Sequence, residues 1–431
     1  MNKKYKNFLS VLLRWIILAT VIGAAVGSFT SFLLNMNDFL GDGIRDNHSW
    51  IIYFLPIGGV VVGYMYMKLG KDTIGNDAAK GNNLIIDAIH HKANVLIRMG
   101  PIVYLGTFIT VLFGGSTGRE GAAIQMGGSI AEAVNKYLKM NIMDKRIFLM
   151  SGISAGFGAA FGTPITGAVF GMEMVSVGKL KYEAFVACIT ASFIGHYIAI
   201  AVWNIEHETF IIKSVPDITV MSFAKVMIAS VIFSLLSVLY CQLRHGIQNL
   251  SEKYFNKNHM LRAFIGGTVI VLFTLIIGTE EYNGRSLDML EQSFQESVPP
   301  FAFFAKLIFT AVTLGSGFVG GEAIPLFFMG ATLGNSLSSS LMDLPMSFLA
   351  ALGLVATFCG GANTPIAAFL LGIEMFDGKG VEFFFVACFI SYICSGHHGL
   401  WPSQKIYEPK SKLHDLVDGE TIDEVESKTI K

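Results

Sequence analysis

Two glutamates, Glu120 and Glu322, each stand inside a glycine-rich break in otherwise apolar sequence. The first break runs from Gly114 to Gly128 (GGSTGREGAAIQMGG) and the second from Gly315 to Pro325 (GSGFVGGEAIP). A helix that starts in such a break aims unpaired N–H groups and the positive end of its dipole at whatever lies in front, which favours an anion. An ionised Glu120 would fill the anion's place, and a protonated Glu120 would swing away with its proton, so one side chain could serve two substrates in turn. Arg119 beside it is expected to anchor the loop through an ion pair. The plainer alternative is a solvated loop with a stray charge pair. A phosphate-binding loop is disfavoured, because GGSTGREG lacks the Lys-Ser/Thr end of that pattern. Glu322 reads either as a second proton station or as a carboxylate stabilising a helix N-terminus.

Two further breaks, Lys80 to Asp87 (KGNNLIID) and Ser395 to Gln404 (SGHHGLWPSQ), complete a set of four, each expected to open a helix. Asn82 and Asn83 offer amide donors where one would begin, with N-capping as their main expected role. Adjacent His397 and His398 do not face one ligand, and no acidic partner stands at metal spacing, so no metal or cofactor is expected. Trp401 could offer its indole N–H to an anion or lie in the aromatic belt at a membrane boundary. The five cysteines lack CxxC spacing and read as packing residues. A membrane-embedded enzyme would need a nucleophile or metal, and Ser116 and Ser395 lack a base partner, so no enzyme is expected.

These residues need elements that hold ionisable groups away from water. The chain is 52% hydrophobic and only 15% charged, with a mean hydropathy of +0.56, which excludes an ordinary soluble protein and makes a bilayer its solvent. Apolar stretches such as Phe8 to Leu34, Trp50 to Met67, Val220 to Tyr240, Ala263 to Gly278, Phe301 to Val319 and Phe383 to Cys394 approach the ~20 residues of a spanning helix. Lys3, Lys4 and Lys6 favour a cytoplasmic N-terminus, and the stretch after them reads as a retained helix. A net charge of −1 with dispersed basic residues argues against nucleic acid and for a small partner.

The chain also repeats. Thr163-Pro164-Ile165 recurs as Thr364-Pro365-Ile366, 201 residues later, followed by Gly171 to Met174 (GMEM) and Gly372 to Met375 (GIEM). Val186-Ala187-Cys188 recurs as Val386-Ala387-Cys388, and each copy follows a glutamate, Glu183 or Glu382. Two homologous halves, often inverted and with broken helices, place a substrate path at their interface. The symmetric Glu173 and Glu374 are expected to be structural. The predicted organisation is an all-α polytopic membrane protein with two inverted-topology repeats and broken or half-spanning helices. Its parts are a cytoplasmic segment 1–7, membrane repeat 8–203, linker 204–219, membrane repeat 220–404 and a polar cytoplasmic tail 405–431.

With GREG at Gly118 to Gly121, GGEAIP at Gly320 to Pro325 and two Thr-Pro helices, the chain resembles the CLC family of chloride channels and chloride/proton antiporters over nearly its whole length. The resemblance implies that Glu120 is the gating glutamate, that Gly118, Arg119 and Gly121 belong to its anion-binding loop, and that backbone N–H groups around Glu322, Ala323 and Ile324 hold the central anion. Where chloride-selective members carry GSGIP, this chain has Gly81-Asn82-Asn83-Leu84-Ile85, so the serine position falls on Asn82 or Asn83. Ala122 replaces the proline of GREGP, and Glu322-Ala323 replaces the usual apolar pair with phenylalanine. This combination is similar to the bacterial fluoride/proton antiporters of the family, in which a glutamate in GxFxP assists the proton and the internal proton-transfer glutamate is absent; here that position falls on Met174. Trp401 stands where the central tyrosine is expected and takes its anion-binding role, with Tyr407 as the alternative. The resemblance implies proton-driven fluoride export across the plasma membrane by a homodimer with one path per subunit, cytoplasmic termini and no cofactor. The alternative is a chloride or nitrate transporter, or a chloride channel, of the same family.

Overall fold

The computed structural model describes residues 3–72, 77–255, 258–338, 342–410 and 419–429. The first half contains α1 (Lys3–Asp38), α2 (Leu55–Leu69), α3 (Asn82–Ile89), α4 (Met99–Leu112), α5 (Glu120–Leu138), α6 (Ile142–Phe161), α7 (Pro164–Glu173) and α8 (Phe185–Ala201). The second contains α9 (Val220–Tyr254), α10 (His259–Ile277), α11 (Leu287–Gln295), α12 (Ala302–Gly315), α13 (Ala323–Leu337), α14 (Met346–Ala362), α15 (Pro365–Met375) and α16 (Val381–Cys394). The halves match element by element. Each opens with a long helix of 36 or 35 residues, and each has a short third helix of 8 or 9 residues and a fourth of 14 residues.

Local sequence explains the joints. Thr163-Pro164 and Thr364-Pro365 start α7 and α15 with proline in the first turn, where its missing N–H costs nothing. Glycines let paired helices close in both halves. A Cβ on Gly127 would lie 2.2 Å from the Gly152 carbonyl oxygen, and one on Gly330 would lie 2.1 Å from that of Gly353, so α5 on α6 and α13 on α14 meet backbone to backbone. The halves join where α2 packs on α10 and α7 on α15. Glu173, at the end of α7, accepts N–H groups at the start of α15, and Glu374 on α15 accepts those at the start of α7. The two helices therefore run antiparallel, as inverted repeats require.

Five helical stretches among the described residues are long and apolar enough to cross a membrane, from Leu9–Arg45 to His259–Ile277. Their outward faces are apolar; Ile276 is 78% exposed and Ile17 is 62% exposed, which is a lipid-facing pattern. α9 continues well past Tyr240, where the apolar stretch ends.

The expected tail 405–431 carries short elements of its own. β1 (Ser176–Val177) pairs in parallel with β2 (Lys405–Ile406), which pairs antiparallel with β3 (Glu420–Thr421), and α17 (Ile422–Thr429) follows. Ile406, Ile422 and Val425 bury themselves with Val177, so a few apolar residues are enough to dock a charge-rich segment. The expected tail residues 411–418 lie outside the described residues. Arg14 of α1 pairs with Asp144 at 2.8 Å, and Arg146 and Lys405 both lie near His90, so the described start of α1 is on the same face as this sheet. The linker 204–219 has no helix or strand and packs Phe210 against Phe294 at 4.9 Å on the opposite face.

Candidate functional site: two carboxylates between an outer vestibule and an inner cavity

Three of the four sequence breaks open helices, and all three helices begin at one place. α3 starts after Gly81, whose φ of 57° combined with ψ of −130° suits only glycine; α5 starts at Glu120 and α13 at Ala323. Their first N–H groups have no partner within their own helices. Gly118 and Gly321 splice two of the breaks: each N–H donates to the other's carbonyl, at 2.8 and 2.7 Å. The N–H of Gly118 is therefore spent on the splice rather than offered to an anion. Gly121 has a related role, because a Cβ on it would meet Gly321 Cα at 2.9 Å.

The GREG segment is buried, which rules out a solvated loop: Ser116 and Thr117 are fully buried and Glu120 is 3% exposed. The Glu120 carboxylate folds back over the start of α5 and accepts the Arg119 N–H at 3.0 Å. The Arg119 guanidinium points outward. It pairs with Asp38, donates to the Leu34 carbonyl at 3.1 Å, and lies 3.7 Å from Glu208 of the linker. Arg285 joins the same two acids, at 2.9 Å from Asp38 and 3.7 Å from Glu208. This cluster lines a vestibule of about 1200 Å³ on the linker side, the outer vestibule, and the Arg119 Nε lies 3.9 Å from a Glu120 carboxylate oxygen, so the side chain ties the vestibule to Glu120.

Glu120 also borders an inner cavity of about 130 Å³, shared with Asn82, Asn83, Gly121, Glu322, Ala323 and Trp401. Ile324 is not among the lining residues and is buried, 4% exposed, near Gly118. Gly81, not an asparagine, is the N-cap of α3, which corrects the capping expectation. Asn83 instead accepts the Ser403 N–H at 3.0 Å, and the buried Asn82 amide oxygen has no partner among the described residues. Glu322 accepts the Tyr240 hydroxyl at 3.3 Å and sits 3.2 Å from Nε of Arg244. The Arg244 contact is an ion pair out of hydrogen-bond alignment.

The fourth break opens no helix. The residue before Pro402 is steered away from helical backbone, and the segment threads inward. Leu400 N–H donates to the Gly361 carbonyl at 2.8 Å, and the buried Gln404 amide donates to the carbonyls of Met174 at 2.8 Å and Ala362 at 3.0 Å. This places Trp401 in the cavity wall, 5% exposed and not in a surface belt, with its indole N–H buried and unpartnered. Tyr407 stands apart from the cavity, with the ammonium groups of Lys179 and Lys181 over its ring. His397 accepts the Lys410 N–H at 3.3 Å and His398 meets Glu426 at 2.9 Å, so both histidines serve the C-terminal segment.

Sequence reasoning missed the aromatic wall. Phe157, Phe170 and Phe358 line the cavity, and Trp401 meets Phe170 edge to face at 5.9 Å and 77°. It also missed Gln125, whose buried amide oxygen lacks a protein partner and faces the same space. The orphaned Trp401 indole N–H calls for an acceptor such as an anion, whereas the orphaned amide oxygens of Asn82 and Gln125 call for a donor such as water. The arrangement can hold an anion between helix N-termini, an indole donor and positive ring edges, with a carboxylate at either side to carry protons.

Known proteins resemble this chain over most of its length. Residues 58–396 match the family described as voltage gated chloride channel. A "Chloride/fluoride channel protein" of Pseudomonas syringae pv. tomato is 36% identical over 412 residues, 94% of this chain and 89% of that protein. An "H(+)/Cl(-) exchange transporter ClcA" of Yersinia pestis is 24% identical, over 65% of this chain and 61% of its own length. Among solved structures, a CLC-type fluoride/proton antiporter superposes with a TM-score of 0.87 at 29% identity, covering 92% of this chain and 98% of the other. A slow cyanobacterial chloride/proton antiporter gives 0.72 at 20% identity, covering 89% and 93%. With more than half of the chain and both spliced loops inside the matched region, this chain belongs to the voltage gated chloride channel family, the CLC proteins.

Proposed function

We propose that the protein exports fluoride from the cell in exchange for protons, as a homodimer in the plasma membrane with both termini cytoplasmic. The observation that carries this reading is the position of the Glu120 carboxylate. It covers the start of α5 between the outer vestibule and the inner cavity, and a second carboxylate, Glu322, borders the same cavity. Protonated from outside, Glu120 loses its claim on the N–H groups and an anion replaces it. The proton passes inward to Glu322 while the anion leaves outward, and the ionised Glu120 closes the site again.

Fluoride is small and strongly hydrated, so its site must replace water with closely placed donors. The unpartnered indole N–H of Trp401, the start of α13 at Ala323 and the edges of the Phe170 and Phe358 rings supply such a shell. Asn82 and Asn83, in place of the serine of chloride-selective members, and the acidic Glu322 in the anion signature favour fluoride over chloride. The printed functions of the Pseudomonas relative and of the antiporter structure support the same choice. Chloride/proton exchange is the second reading, favoured by the Yersinia relative.

The test uses purified protein in liposomes loaded with fluoride or chloride, with anion efflux and internal pH followed together, beside Glu120→Gln. Fluoride efflux coupled to proton uptake, with coupling lost in the variant, is the expected result. Chloride flux equal to or above fluoride would favour the second reading, and absence of anion flux would overturn both.

A further inference from the structure

The cytoplasmic-side extension of α9 carries Tyr240, Arg244, Gln248 and Glu252 at four-residue intervals, which sets them on one face of the helix. That face meets the inner cavity: Tyr240 and Arg244 contact Glu322, and Arg244, Gln248 and Glu252 line the wall. Farther along, Gln248 donates to Glu252 at 3.1 Å, and Arg262 of α10 pairs with Glu252 at 3.1 Å while donating to the Gly315 carbonyl at 3.3 Å. Access to water rises along the stripe. The Glu322 side chain is 11% exposed and that of Glu252 is 34% exposed.

We infer that this stripe is the inner exit for protons and that Glu252 is their last protein acceptor, an inference that rests on Glu322 acting as a proton station. The O–H bond of protonated Glu322 breaks, the proton passes through cavity water to a carboxylate oxygen of Glu252, and from there to bulk water. Glu322 returns to its carboxylate form beside Arg244; no electrons change hands. Arg244 is the positioning residue, with its guanidinium 3.2 Å from Glu322 at the head of the stripe. Arg262 holds Glu252 at the other end of the stripe, at 3.1 Å. The charged groups that face Glu252 are Arg262 and His259 from α10 and Arg244 from its own helix, with Lys71 and Asp77 beyond His259. The other buried carboxylate on this side, Glu173, is committed to the N–H groups of Ile366 and Ala367 and does not line the cavity.

The experiment follows fluoride efflux and proton uptake in liposomes for wild type, E252Q and E252D, across a series of internal pH values. Uncoupled flux in the wild type would remove the premise, and with it the antiport reading, whatever Glu252 does. With the wild type coupled, E252Q is expected to slow proton uptake by at least about tenfold, and E252D to restore it with a shifted pH profile. Fluoride binding by calorimetry should stay unchanged, as a merely structural role would not allow. E252Q with wild-type rate and pH profile overturns the inference. Should E252Q fail to fold, Q248L leaves the Glu252–Arg262 pair intact: slowed proton uptake supports the exit and unchanged uptake overturns it.

Discussion

Glu173 and Glu374 each cap the helix that the other belongs to. Glu173 accepts the N–H groups of Ile366 and Ala367 at 3.1 and 2.7 Å, and Glu374 accepts those of Ile165 and Thr166 at 2.9 and 2.7 Å. Thr166 adds its hydroxyl to Glu374 at 2.7 Å. Four orphan donors at two proline-started helices are thereby satisfied by the opposite half of the chain.

Replacing Glu374 with Ala should therefore cost about 1–3 kcal/mol, because it leaves two helix-start donors without their acceptor. Thermal unfolding of the detergent-solubilised protein measures this as a lowered Tm, with proton-to-anion stoichiometry unchanged in liposomes. An unaltered Tm would show that water serves those N–H groups as well as the carboxylate does.

Trp401 makes the opposite kind of prediction. Its indole N–H is buried without a protein partner, so Trp401→Phe removes an unsatisfied donor and should leave the ligand-free Tm unchanged or raised. Fluoride affinity should fall about tenfold, the worth of one hydrogen bond to a charged group. Calorimetric titration with fluoride, run beside the Tm, separates the two effects; unchanged affinity would take Trp401 out of the anion site.

His207, in the linker, gives the outer face a dependence on pH. Burial, followed by the positive influence of His196 and Arg119, pushes its imidazole down to about 4. Between that value and the ordinary histidine value of ~6.5, the unfolded chain binds more protons at this residue than the folded one does. Stability should fall as pH drops through that window. Tm measured from pH 7 to pH 5 should decline in the wild type, and more gently in His207→Gln; equal slopes would overturn the assignment.

Both the repeat and the chemistry of the GREG and GGEAIP breaks are visible in the chain itself, because they rest on local composition. Glycine beside an ionisable residue in apolar sequence needs no partner to be noticed, and Thr-Pro with GxEM recurs in one register. The structural role expected for Glu173 and Glu374 follows from that symmetry. Their partners do not, since each lies some two hundred residues away and is chosen by how the halves pack.

The same division holds at the site. Local sequence determined that this is an apolar, two-fold repeated helical chain with two carboxylates set in helix-opening breaks. Tertiary structure decided which way each group faces. It turned the Arg119 guanidinium out to Asp38 and Glu208, brought Trp401 inward past Pro402 to join Phe170, and laid Tyr240 and Arg244 against Glu322. The physical reason is range: helix starts and breaks depend on residues a few positions apart, whereas the cavity's walls are assembled from segments that meet only when the two halves close on each other.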